Sequence, residues 1–230
     1  MLNALDLSAS AVGNHEFDKG FTDLYGRVAD AADFPYLAAN VYLKGTDTPV
    51  LSEYSLRTVG GVTVGIIGAV TQETPTLVTP SGISNLTFGD PVAAVNRVAG
   101  QLSDGNAANG EADIIVAEYH EGAGAGTVEG ATLAQEVAAG GAFANIVAGT
   151  SAHVDVIFTG HTHKQYAWDA PVPGQSGKTR PIVQTGSYGE NIGKVVLTVD
   201  GKDVTAAVAS NVKRSTADPA TLVAKYPRVA

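Results

Sequence analysis

The sequence predicts an α/β protein, and three observations carry that prediction. Short apolar runs rich in β-branched residues alternate with segments of helical periodicity. Two such runs meet at Gly60-Gly61, the pattern of a tight hairpin. Three of the runs end in histidine-bearing motifs, namely Gly13-Asn14-His15-Glu16, Tyr119-His120-Glu121 and Gly160-His161-Thr162-His163. Open α/β sheets place their chemistry at the ends of strands.

The elements follow in order. Ala9 to Val12 is a short apolar run, and Phe21, Leu24, Tyr25, Val28 and Ala32 recur at helical spacing behind the first motif. Phe34 to Asn40 reads as a strand, and Ser55 to Val59 and Val62 to Val70 form the hairpin. Asp90-Pro91 has the form of an N-cap with proline at the first helical position, and Val92, Val95, Val98 and Leu102 continue the helix. Ala112 to Tyr119 and Val154 to Thr159 are buried strands. The Gly- and Ala-rich insert between them, Gly122 to Gly149, predicts a loop and then short helices at Leu133 to Ala138 and Phe143 to Ala148. Strands follow at Gln165 to Trp168, Pro181 to Thr185, Lys194 to Val199 and Val204 to Ala209, with a Pro/Gly-rich loop from Pro171 to Lys178 and a turn at Asp200-Gly201. From Ser210 the polar tail reads as a linker, residues 210–230, in which Asp218-Pro219 could start a helix.

Composition narrows the function. At 230 residues, with 44% hydrophobic and 16% charged residues, the chain can bury one good core. No apolar run approaches the roughly 20 residues that span a bilayer. No cysteine is present, so any metal ligands are imidazole, carboxylate or amide oxygen. A net charge of -9 argues against binding nucleic acid through a basic patch. An anionic substrate would instead meet positive charge from a bound metal ion.

His161 and His163 sit two apart after a strand, a spacing that serves one or two metal ions from a single turn; the bland alternative is a polar turn. His120 ends its strand, where it could equally be a hydrogen-bonded histidine at the mouth of the sheet. Glu118 and Glu121 read as solvated charges, with a supporting role behind a metal-bound histidine as the alternative. In Gly13-Asn14-His15-Glu16-Phe17-Asp18 the Asn14 amide could ligate a metal, and His15, oriented by Asp18, could protonate a leaving alkoxide. Capping of the next helix by Asn14 and Asp18 is the competing reading. His153 stands apart as a surface or core-edge residue.

Taken in order, these motifs resemble the calcineurin-like metallophosphoesterases. Gly13 to Asp18 in full, with Gln184-Thr185-Gly186-Ser187-Tyr188-Gly189, looks most like the branch of 5'-nucleotidases and 2',3'-cyclic nucleotide phosphodiesterases. The likeness runs from about Leu2 to about Ala209, which makes residues 1–209 the catalytic domain. It implies a two-sheet αββα sandwich with divalent metal ions at the strand ends. By motif, Asn14, His120 and His161 would ligate one metal and His163 the other. His15 and Asp18 would form the catalytic dyad, with Asn14 and His15 nearest the substrate, a nucleotide or other small phosphoester. The metals, about 3.5–4 Å apart in such sites, would lower the pKa of water for in-line attack.

The family also places Asp-x-His and Gly-Asp upstream of Gly-Asn-His-Glu. No Asp-x-His occurs here, and the only Gly-Asp, Gly89-Asp90, reads as a helix cap. The expectation is a catalytic domain lacking its first strand and a C-terminal nucleotidase domain, with metal binding and turnover impaired. The alternative is a binding module with one weak metal site. Exposed sheet edges predict self-association, and the resemblance implies an exported full-length protein. An amidohydrolase built on His161 and His163 fits less well, because nothing repeats as a (β/α)₈ barrel.

Overall fold

The computed structural model describes residues 2–124 and 129–227. Among these residues, twelve strands and six α-helices build an α/β fold: β1 (Ser10–Ala11), α1 (Phe21–Asp23), β2 (Tyr36–Leu37), β3 (Val41–Leu43), β4 (Tyr54–Val59), β5 (Val62–Val70), α2 (Thr74–Leu77), β6 (Leu86–Phe88), α3 (Pro91–Gln101), β7 (Ile114–His120), α4 (Leu133–Ala138), α5 (Gly141–Gly149), β8 (Val156–Thr159), β9 (Gln165–Pro171), β10 (Thr179–Thr185), β11 (Asn191–Asp200), β12 (Asp203–Lys213) and α6 (Pro219–Lys225). Among the described residues, no helix is long and apolar enough to cross a membrane.

One sheet dominates, ordered β4-β5-β7-β8-β10-β9. Its four inner strands are parallel, and β4 and β9 flank them antiparallel. The β4–β5 hairpin closes at Gly60 and Gly61, whose φ values of 60° and 87° are those a tight two-residue turn requires. On one face Ile67, Ile115, Ala117 and Ile157 pack with Val95 and Val98 of α3 and Phe143 and Ile146 of α5. Asp90 starts α3 as expected, its Oδ1 accepting the N–H groups of Val92 and Ala93.

The opposite layer is divided rather than one continuous second sheet. The parallel pair β1–β2 packs over β5 and β7, and the β11–β12 hairpin packs over β10 and β9. A smaller core of Val12, Phe17, Leu24, Val41, Val70 and Phe88 sits beneath the first motif, roofed by the antiparallel pair β3–β6.

Several elements differ from expectation. Of Phe34 to Asn40 only Tyr36 and Leu37 form a strand. The chain then leaves the ladder because the Asn40 side chain takes over: its Nδ2 donates to Val70 O and Gly89 O, and its Oδ1 accepts Val70 N–H. The helix behind the first motif winds into a π-helical turn at Leu24–Val28. Ser210 to Lys213, expected in the linker, belong to β12. Their polarity serves the sheet, since Asn211 Nδ2 donates to Tyr166 O and Gln184 O. The helix at Asp218-Pro219 is present as α6. The loop expected after Gly122 includes residues 125–128, which lie outside the described residues, as do 228–230 at the end of the expected linker.

Candidate functional site

The three histidine-bearing motifs converge at the C-terminal ends of parallel strands β1, β7 and β8, and the turn after β10 joins them. Strand β1 delivers Gly13-Asn14-His15-Glu16 into a 3-10 turn, Asn14–Phe17. Glu16 reaches back to secure it, its Oε2 accepting the Gly13 N–H at 2.6 Å. Asn14 is buried, and its Oδ1 lies 3.0 Å from His120 Nε2. The capping reading of Asn14 and Asp18 therefore fails. Asn14 spends its side chain on His120, and Asp18 Oδ2 lies 3.0 Å from His15 Nδ1.

Glycines make the convergence sterically feasible. A Cβ on Gly13 would stand 2.6 to 2.8 Å from three atoms of the His120 ring. One on Gly122 would stand 2.7 Å from Gly160 O. His120 thus lies flat against backbone on one side and meets the His161 ring at a centroid distance of 5.1 Å on the other. Burial pushes its pKa down to about 4, with His161, His15 and His163 adding to the shift, so the imidazole is neutral at neutral pH and able to ligate.

His161 and His163 have φ of 69° and 60°, and Tyr188, whose ring is 6.4 Å from that of His163, has φ of 54°. Such left-handed non-glycine residues cost about 1–3 kcal/mol each and persist where the surroundings over-determine them. His161 is half-buried and His163 exposed. The His15–Asp18 pair is exposed too, with 76% of the His15 side chain accessible. His153 lies apart on the surface, as expected.

Two carboxylates and one amide differ from what the sequence predicts. Glu118 is not a solvated charge: burial raises its carboxyl above the usual range, and its Oε2 accepts the Ala11 N–H. Glu121 is buried, with Oε1 accepting the Gly122 N–H. Gln184, noted only as part of a family motif, is 1% exposed and bonds Thr162 between the two histidines. A polar side chain inside the apolar run Pro181 to Thr185 was the available signal.

Among the described residues, no group of three or more His, Cys, Asp and Glu side chains is placed to hold a metal ion. The Asn14 oxygen and the imidazoles of His120 and His161 lie together here, oxygen and nitrogen groups of the type that a divalent cation could take.

The chain is similar to several known proteins. The chain is 32% identical over 215 residues to Endonuclease YhcR of Bacillus subtilis, an alignment covering 87% of this chain and 16% of that protein. It is 30% identical over 218 residues to the 5'-nucleotidase of Rattus norvegicus, covering 87% of this chain and 34% of the relative. The chain thus spans about a sixth and a third of the lengths of these curated relatives. The crystal structure of a 5'-nucleotidase precursor from Thermus thermophilus shares the fold, with a TM-score of 0.68 at 24% identity over 92% of this chain and 40% of that one. The family model for Calcineurin-like phosphoesterase matches residues 6–165, a span that takes in all three histidine-bearing motifs and four of the strands of the main sheet. On that match, the chain belongs to the calcineurin-like phosphoesterase family.

Proposed function

We propose that this chain carries the catalytic surface of a metal-dependent phosphoester hydrolase of 5'-nucleotidase type, acting on a nucleotide phosphomonoester or cyclic phosphodiester. The observation that carries this reading is the meeting of Asn14 and His120 at 3.0 Å beside His161, with Asn14 directly preceding His15 of the His15–Asp18 pair. Asn14, His120 and His161 would hold a divalent cation, and His163 would face a second. Bound there, a cation supplies positive charge against the phosphoryl oxygens and lowers the pKa of a water molecule. His15, held through Nδ1 by Asp18, has its Nε2 side available to protonate the leaving oxygen as the P–O bond breaks. The relative from Bacillus subtilis is named an endonuclease, but a net charge of -9 favours a small nucleotide over a polynucleotide here. The protein would act outside the cytoplasm, in keeping with the family resemblance.

The test is hydrolysis of a nucleoside 5'-phosphate by the chain with added divalent cation, against His15→Ala. Equal rates would refute the dyad. A second reading is favoured by the short donor set: a module that binds one cation and turns over little. Metal analysis separates the two, because two ions per chain would exclude it.

A further inference from the structure

Gln184 is neither a candidate metal ligand nor part of the dyad, yet its side chain lies where both histidine-bearing loops meet. It projects from β10 and is 1% exposed. Its Nε2 donates to Thr162 Oγ1 at 2.8 Å, and the same hydroxyl is 3.2 Å from its Oε1, so one amide both donates to and accepts from one hydroxyl. Thr162 is the residue between His161 and His163, and its N–H donates to Gly160 O at 2.8 Å. On the other side the amide lies against the loop after His120: a Cβ on Gly122 would stand 2.9 Å from Nε2 and 3.0 Å from Oε1. The Gly160 N–H donates to Glu121 O, which ties the two loops together. The backbone beneath is clamped as well, since Asn211 Nδ2 donates to both Gln184 O and Tyr166 O.

Two left-handed histidines flanking Thr162 are not a conformation the backbone adopts unaided. The Thr162 side chain restrains the turn from the inside alongside the Thr162 N–H bond to Gly160 O, and Gln184 holds that side chain. We infer that Gln184 is a positioning residue that, through Thr162, fixes the His161–Thr162–His163 turn in its cation-binding arrangement. This rests on the proposal that His161 is a cation ligand. An amide suits the role because it offers a donor and an acceptor to one hydroxyl, which neither a carboxylate nor a thioether does.

The experiment is Mn²⁺ titration calorimetry on the full chain, paired with unfolding midpoints of the metal-free protein. Gln184→Met and Thr162→Val should each weaken Mn²⁺ binding about 10- to 100-fold, as loss of a ligand-orienting partner does. The double variant should be no weaker than the poorer single one, and Thr162→Ser, which keeps the hydroxyl, should bind like the parent. In the metal-free chain the imidazole NMR signals of His161 and His163 should shift in Gln184→Met while those of His153 stay. Thr162→Val is close to isosteric at a half-buried site, so it keeps the test open if Gln184→Met folds poorly. Undiminished Mn²⁺ affinity in both single variants, additive losses, or a fall confined to the unfolding midpoint would overturn the inference. If the parent chain binds no Mn²⁺, or binds it equally well as His161→Ala, the metal-site proposal falls and the inference with it.

Discussion

The carboxylate of Glu118 accepts the backbone N–H of Ala11 at 2.8 Å, a bond between strands β7 and β1 that no sheet ladder provides. The Ser10 and Val12 N–H groups already point to β2, donating to Pro35 O and Leu37 O. The Ala11 N–H therefore faces the free edge of β1, and Glu118 satisfies it there. Replacing Glu118 by Val should orphan this N–H at about 1–3 kcal/mol. Glu118→Gln keeps an acceptor and should lose much less. Urea unfolding of the two variants checks this, and equal losses would show that the bond is incidental.

A second prediction concerns Gly13. Its φ of -101° and ψ of 178° suit any residue, so Gly13→Ala introduces no backbone strain. The new methyl instead meets the His120 ring at under 3 Å. With Asn14 holding that ring on one edge, the ring must move out of register with His161. The expected result is a loss of about 1–3 kcal/mol from overpacking, together with weaker Mn²⁺ binding. A variant crystal structure with His120 unmoved would contradict the steric argument.

Asp155 sets a pH dependence away from the site. Burial raises its carboxyl above the ordinary range, outweighing the bond from the Ile115 N–H and the charges of Lys178, Arg180 and His153. A raised folded-state value means that the native protein binds this proton more readily than the unfolded chain does. The contribution of Asp155 to stability should therefore rise as pH falls through the folded value toward the unfolded one near about 3.9. Asp155→Asn keeps an acceptor for Ile115 and removes the titration. Unfolding curves from neutral to acid pH should show the variant's advantage over the parent shrinking as pH falls; an advantage that grew toward acid would reverse the sign assigned here.

Most of the fold was legible because its elements carry local signals. Gly60-Gly61 dictates a hairpin turn by backbone freedom, and Asp90-Pro91 starts α3 through a side-chain cap and a preset φ. What escaped depends on partners distant in sequence. Asn40 ends a strand by bonding residues 30 and 49 positions away, and Asn211 looks like linker until Tyr166 and Gln184 supply its contacts. The site followed the same division. Asn14, His15, His120 and His161 announced themselves by residue type and strand-end position. Glu118 did not, because a carboxylate that satisfies a strand edge has the same spelling as one in solvent, and Gln184 shows only as a polar residue inside an apolar run.

The last prediction isolates the proton-transfer step. Asp18 fixes the Nδ1 side of His15, so Asp18→Asn replaces an anion by a group that can hold the ring in the wrong tautomer. Loss of a positioned acid lowers kcat by about 10²-fold or more on substrates whose leaving alkoxide must be protonated, such as nucleoside 5'-phosphates. With 4-nitrophenyl phosphate the leaving phenolate is stable without a proton, so the same substitution should leave kcat much closer to the parent value. KM should change little for either substrate, because the carboxylate is placed to act on His15 and not on the phosphate. Measuring kcat and KM for both substrates in the parent, Asp18→Asn and His15→Ala tests the assignment directly. If Asp18→Asn slowed both substrates equally, the pair would be acting in phosphate positioning and not as the acid for the leaving group.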